Sequence, residues 1–99
     1  MKKITYFLKI ILVCIFCTTN IASAKNDYYE EGKIFFYKKE YEKSKIFFER
    51  DIVFNPKSEK SYLYLAKIFK EKENDNEEEI NLNNVLLINP NNDEAIYML

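Results

Sequence analysis

Two cysteines have the spacing of a reactive site. Cys14 and Cys17 are separated by two residues, which is the spacing of redox and metal-binding motifs. Both cysteines, however, lie inside an unbroken apolar run, residues 10–17, where a cysteine serves as a small hydrophobic residue. We therefore expect neither redox nor metal chemistry from them.

The rest of the chain has few residues suited to catalysis. The sequence contains no histidine, and no cysteine follows Cys17, so nucleophile–base pairs, thiolate chemistry and the usual transition-metal ligands are missing. Carboxylates are adjacent in Glu30–Glu31 and Glu77–Glu79, but neighbouring residues on a helix point in different directions. Phosphate-binding loops need several glycines, and the sequence has one. We predict that the protein is not an enzyme and needs no cofactor or metal.

The N-terminal segment, residues 1–24, has the features of a secretory signal. Three lysines precede the apolar run, and residues 22–24, Ala-Ser-Ala, offer small side chains at a cleavage site. An uncleaved membrane anchor is the alternative, but a spanning helix needs about 20 mostly apolar residues, and polar residues interrupt this stretch on both sides. We expect cleavage after Ala24, no stable membrane span afterwards, and a periplasmic or secreted mature chain, residues 25–99.

Charge and cysteine content narrow the classes of partner. Residues 1–24 hold three of the 15 basic residues and none of the 16 acidic ones, so residues 25–99 carry a net charge of about −4. An acidic chain without a basic stripe is poorly suited to nucleic acid, whose binding depends on Lys and Arg. Residues 25–99 also lack cysteine, so an exported domain must be stable through packing rather than disulfides.

An internal repeat organises the mature part. Asn55-Pro56 recurs as Asn89-Pro90, and we call the spacing from Pro56 to Pro90 the repeat offset. At this offset Gly32 falls opposite Ala66, and the identities are Tyr28 with Tyr62, Lys33 with Lys67, Ile34 with Ile68, Phe35 with Phe69 and Ile46 with Ile80. A repeat of about 34 residues that divides into two helical patterns is typical of a stacked helical array. We predict helices at about 26–38, 42–54, 59–71 and 77–88, with uncertain ends.

In the length of its repeat and the residues at matching positions, the chain resembles the tetratricopeptide repeat family. The unit of that family is a helix A, a tight turn and a helix B that ends at a proline. The matching positions of the first unit are Tyr28, Gly32, Phe35, Tyr41, Ser44, Phe48, Ile52, Asn55 and Pro56. Those of the second unit are Tyr62, Leu65, Ala66, Phe69, Leu82, Val85, Leu86, Asn89 and Pro90. Glu31, Asp75 and Glu78 depart from the pattern, so we expect looser packing at the second turn.

The resemblance implies an all-α solenoid of antiparallel helix pairs. Repeat one would span residues 25–58, repeat two residues 59–92, and the start of a third repeat residues 93–99. Gly32, Ser44 and Ala66 are expected to let helix backbones approach each other. The space between the helices would be filled by three phenylalanines: Phe35, Phe48 and Phe69.

In this family the binding groove is lined mainly by the A helices. The positions that face the groove in the family correspond in this sequence to nine residues: Tyr29, Lys33, Phe36, Tyr37, Leu63, Tyr64, Lys67, Lys70 and Tyr97. Aromatic rings supply apolar contact area, and lysines pair with carboxylates, so the groove would suit a peptide with acidic residues beside apolar ones. The alternative is that four of these side chains only pack between neighbouring A helices: Tyr29, Leu63, Tyr64 and Tyr97.

These observations predict an exported bacterial interaction module, an adaptor or assembly scaffold that binds a peptide or protein partner in the cell envelope. The alternative is an N-terminal fragment of a longer envelope protein of this family, in which the repeats are structural spacers. The last B helix presents Ile80, Val85, Leu86 and Ile88, and residues 95–99 supply only about one and a half helical turns to cover them, so some of this apolar surface should stay bare. We therefore expect a mature chain that is helical but weakly stable, or one that associates with itself through this C-terminal end.

Overall fold

Five α-helices make up the part of the chain that the computed structural model describes, residues 27–99. They are α1 (Tyr28–Tyr37), α2 (Tyr41–Phe54), α3 (Glu59–Glu71), α4 (Asp75–Ile88) and α5 (Asp93–Met98). Within residues 27–99 the structure has no strand, and none of its helices combines the length and apolar character needed to cross a membrane. The predicted signal, residues 1–24, lies outside the described residues.

Side-chain caps set the starts of three helices. The side-chain oxygens of Asp27, Asn74 and Asn92 accept hydrogen bonds from backbone N–H groups in the first turns of α1, α4 and α5. Because Asn74 is the cap, α4 begins at Asp75, two residues before the predicted start. The acidic residues that follow favour a helix start, since the helix dipole stabilises negative charge there.

The turn from α1 to α2 has the same geometry as the turn from α3 to α4. Lys39 (φ 61°) and Glu73 (φ 55°) are both left-handed, and the repeat offset relates one to the other. The amide after each of them bonds to the carbonyl five residues earlier, at 2.9 Å in both turns. This hydrogen-bond pattern ends a helix abruptly and reverses the chain within a few residues.

Helices that are adjacent in the chain pack against each other, from α1 with α2 to α4 with α5. α1 also contacts α3, and Lys67 of α3 forms an ion pair of 2.7 Å with Glu94 of α5. Because these contacts skip the intervening helices, α1, α3 and α5 form one row. That row carries most of the side chains predicted for the binding surface.

Two apolar clusters form the core. One joins α2 to α3 through Phe48, Leu65 and Ile68. The other joins α3, α4 and α5 through Leu63, Ala66, Leu82, Val85 and Ala95. The small residues predicted to let helices approach are buried, and the Ser44 hydroxyl donates a 2.7 Å hydrogen bond to the Gly32 carbonyl.

Two details of the predicted packing were wrong. Of the three phenylalanines expected to fill the core, only Phe48 is buried, while Phe35 and Phe69 are half-buried and Ile68 takes the enclosed place on α3. Val85, which the sequence placed among the residues that the short α5 would leave partly uncovered, is fully buried because Ala95 of α5 lies in its cluster.

Candidate functional site

The predicted side chains of α1 and α3 form one contiguous aromatic cluster around Tyr64. The centroid of the Tyr64 ring lies 6.0 Å from that of Tyr29, 5.1 Å from that of Phe36 and 4.9 Å from that of the buried Phe48. Positions 29, 33, 36 and 37 share one face of α1 because they are spaced by about one and two helical turns. We define the Lys/Tyr face as Tyr29, Lys33, Phe36, Tyr37, Lys60, Tyr64 and Lys67.

Tyrosine hydroxyls bridge the two helices at this face. The hydroxyls of Tyr37 and Tyr64 are 3.2 Å apart, and the side chain of Tyr37 is exposed. Burial raises the pKa of the Tyr64 hydroxyl above its usual value, and the hydrogen bond to Tyr37 raises it further. Burial also raises the pKa of Tyr29. Both hydroxyls therefore stay protonated well above neutral pH, and the rings carry no charge.

Lysine ammonium groups lie over the rings of the same cluster. Lys33 and Lys60 are 5.0 and 6.0 Å from the centroid of the Tyr29 ring, and Lys67 is 5.0 Å from that of Tyr64. A cation over a ring face is attracted to the negative side of the π system, by about 0.5–1 kcal/mol where the site is exposed. The face is thus both aromatic and cationic.

Two carboxylates neutralise part of this positive charge. Glu30 pairs with Lys33 at 3.2 Å, and this hydrogen bond raises the pKa of the Lys33 amine. Glu94 pairs with Lys67 at 2.7 Å. Lys60 is exposed and lies near Tyr29. The three lysines of the Lys/Tyr face and the two glutamates that pair with them together carry one net positive charge. Residues 25–99 as a whole are acidic.

Three of the predicted residues lie away from this cluster. Leu63 is 9% exposed and packs in the core beside Val85 and Ala95, so it contributes to stability rather than to an open surface. Lys70 is exposed near the end of α3. Tyr97 is 89% exposed and projects from α5 into solvent.

The prediction omitted residues that support the cluster from below and from its edge. The Phe48 ring stacks on Tyr64 from α2, and Tyr41 meets the Phe36 ring edge-on at 5.7 Å. Both lie on α2, and their place could have been found only by combining the two helix patterns. In residues 27–99 no group of three or more Cys, Asp or Glu residues is arranged to hold a metal ion.

Comparison with known proteins gives no relative: no family model matches the chain, and neither a curated protein nor a solved structure is significantly similar to it. The function must therefore be argued from the geometry of the described residues.

Proposed function

We propose that the protein is an exported interaction module of tetratricopeptide type, and that its Lys/Tyr face binds a peptide segment carrying carboxylates beside apolar side chains. The observation on which this rests is the placement of three lysine ammonium groups over the rings of Tyr29 and Tyr64 on a surface shared by α1 and α3. Tyrosine is among the residues whose truncation costs most binding energy at protein interfaces, and the lysines add attraction to carboxylates.

The internal periodicity supports the fold assignment. The left-handed Lys39 recurs as Glu73, and Pro56 recurs as Pro90, both at the repeat offset. Gly32 and Ala66 are both buried where an A helix meets a B helix. A unit of this length, repeated with the same turn and a small residue at the same place, is the pattern from which helical solenoids are built.

The charge of the face supports an acidic ligand. The carboxylates of Glu30 and Glu94 already sit against Lys33 and Lys67, and a ligand carboxylate would take the same geometry. The exposed Lys60 adds a third cation. The rings between these lysines supply apolar area for the neighbouring ligand side chains.

The test measures binding of three synthetic peptides by fluorescence anisotropy. One alternates Glu with Phe, one alternates Lys with Phe, and one alternates Ser with Phe. We expect the protein to prefer the first, and added salt to weaken that binding because exposed charges are screened. The double variant Lys60→Gln with Lys67→Gln should lose about tenfold in affinity, which corresponds to ~1.4 kcal/mol.

The matched control is the double variant Lys39→Gln with Lys57→Gln, which changes net charge equally but alters exposed lysines outside the Lys/Tyr face. This control should bind the Glu/Phe peptide as the unaltered protein does. Equal loss in both double variants would mean that only overall charge matters. Equal affinity for the three peptides would also refute the proposal.

A further inference from the structure

A second row of aromatic rings runs along the other side of α1 and α2. We define this aromatic ladder as Phe35, Phe47, Tyr28 and Phe54. The ring centroids of Phe35 and Phe47 are 5.3 Å apart, those of Phe47 and Tyr28 6.4 Å, and those of Tyr28 and Phe54 5.7 Å. The ladder shares no residue with the Lys/Tyr face, so it requires an explanation of its own.

Cations and exposed apolar groups border the ladder. Lys38 and Lys43 lie 5.8 and 5.6 Å from the centroid of the Phe35 ring, and Arg50 lies 5.6 Å from that of Phe47. Phe54 is 69% exposed and its neighbour Val53 is 74% exposed.

Two of the four ladder rings are absent from the second helix pair. At the repeat offset, Asn81 stands in the place of Phe47 and Ile88 in the place of Phe54, whereas Tyr28 and Phe35 recur as Tyr62 and Phe69. The α3–α4 pair forms with these replacements, and the same turn joins its helices. Phe47 and Phe54 are therefore not needed to form a helix pair, and the exposed Phe54 beside the exposed Val53 offers apolar area to a partner.

The opposite end of the chain presents the complementary charge. Asp75, Glu78 and Glu79 begin α4, and they border a depression of about 300 Å³ that also reaches Leu82 and Met98. Leu82 itself is fully buried, so the accessible apolar side chains beside these acids are Met98 and Leu99, and the acids are opposite in charge to the cations of the ladder. Both surfaces belong to the same chain, so each copy of the protein carries one aromatic ladder and one acidic start of α4.

We infer that the aromatic ladder of one copy binds the acidic start of α4 in a second copy. The exposed Phe54 ring contacts Met98 and Leu99 at the edge of the depression, and the ladder cations Lys43 and Arg50 face Glu78 and Glu79 of that second copy. This contact joins two different surfaces, so it leaves one free surface on each outer copy and allows further copies to add. The Lys/Tyr face stays open in such an assembly.

The experiment uses the protein recovered from its host, with its N-terminus defined by intact mass. Sedimentation equilibrium of the unaltered protein should show an average mass that rises with concentration and falls when salt is added. Two charge-reversed variants are compared with it: Lys43→Glu with Arg50→Glu, and Glu78→Lys with Glu79→Lys. Each should sediment alone as a monomer, because both of its surfaces then carry the same sign.

An equimolar mixture of the two variants should associate again, since each reversed surface meets its opposite on the other variant. Circular dichroism must show unchanged helix content for both, and recovery in the mixture itself excludes misfolding. The double variant of the Lys/Tyr face, Lys60→Gln with Lys67→Gln, should associate as the unaltered protein does. Three results would each overturn the inference. The unaltered protein could stay monomeric at all concentrations, the mixture could stay monomeric, or the variant of the Lys/Tyr face could fail to associate.

Discussion

Gly32 and Phe48 meet where α1 packs on α2. A Cβ atom at Gly32 would lie 2.8–2.9 Å from three atoms of the Phe48 ring, and that ring is fully buried. At the repeat offset, the second pair has Ala66 and Leu82 instead. Glycine is therefore paired with the larger phenylalanine ring in the first helix pair, and alanine is paired with the smaller leucine in the second.

We expect Gly32→Ala to lower the free energy of unfolding by about 1–3 kcal/mol, because the core is overpacked by one methyl group. This loss would occur although alanine favours a helix by about 1 kcal/mol over glycine. Adding Phe48→Leu should relieve the clash, so the double variant should be more stable than the sum of the two single effects predicts. Urea denaturation followed by circular dichroism gives these values, and strictly additive effects would show that the two residues do not compete for space.

The junctions between helix pairs are built differently in the two places where they occur. Between α2 and α3, the buried Asp51 carboxylate accepts hydrogen bonds from the Ser61 hydroxyl at 2.5 Å and from the Asn55 amide at 2.9 Å. The positions that correspond to Asp51 and Ser61 at the repeat offset, between α4 and α5, hold Val85 and Ala95, both fully buried. One junction is thus polar and hydrogen-bonded, and the other is apolar.

We expect Asp51→Val alone to cost about 1–3 kcal/mol, because it leaves the buried Ser61 hydroxyl without its acceptor. The double variant Asp51→Val with Ser61→Ala copies the α4–α5 junction and should be more stable than Asp51→Val alone, since no buried donor at position 61 remains unpaired. Chemical denaturation of the three proteins decides this. A double variant less stable than Asp51→Val alone would show that the polar junction cannot be replaced.

The start of α3 is tied to the turn between α4 and α5. The amide groups of Asn89 and Asn92 both donate hydrogen bonds to one oxygen of the Glu59 carboxylate. The bond from Asn92 lowers the pKa of Glu59 most, and the bond from Asn89 lowers it further. Because this pKa is depressed in the folded state, the stabilisation is present above the unfolded pKa of about 4.3 and disappears as pH falls through the folded value.

We expect Glu59→Gln to cost about 1 kcal/mol at pH 7, the low end for hydrogen bonds to a charged group, because the site is partly exposed. Thermal unfolding measured from neutral to acid pH should show that this difference starts to shrink as pH falls below the unfolded pKa of about 4.3, and disappears at the lower pH where Glu59 is protonated in the folded protein. Glu49→Gln, at an exposed acid of α2, serves as the control. A difference between Glu59→Gln and the unaltered protein that does not change with pH would contradict the role given to the carboxylate.

At the scale of the whole molecule, we make one prediction about the N-terminal segment, residues 1–24. The charged start, the apolar run and Ala22-Ser23-Ala24 predict removal of residues 1–24. Intact mass of the protein recovered from its host should therefore correspond to a chain beginning at Lys25. A chain that begins at Met1 and sediments with membranes would replace the released module by an anchored one.

The sequence alone was sufficient to predict the helices of the described part, because the signals that define them are local. Apolar residues three and four apart, the cap at Asn74 and the prolines at positions 56 and 90 act within one or two turns. Most helix ends were predicted to within two residues for this reason. We also expected Tyr29 and Tyr64 to project toward one face, but only from the helix arrangement that the resemblance to tetratricopeptide repeats implies.

Only the tertiary structure decided which faces of these helices are covered. Val85 and Leu87 lie two residues apart on α4, yet Val85 is fully buried and Leu87 is 82% exposed, because α5 covers one side of the helix. Likewise, Ile68 rather than Phe69 is enclosed against α2. Burial depends on neighbours that are distant along the chain, so a pattern read within one helix identifies an apolar stripe but not the helix that packs on it.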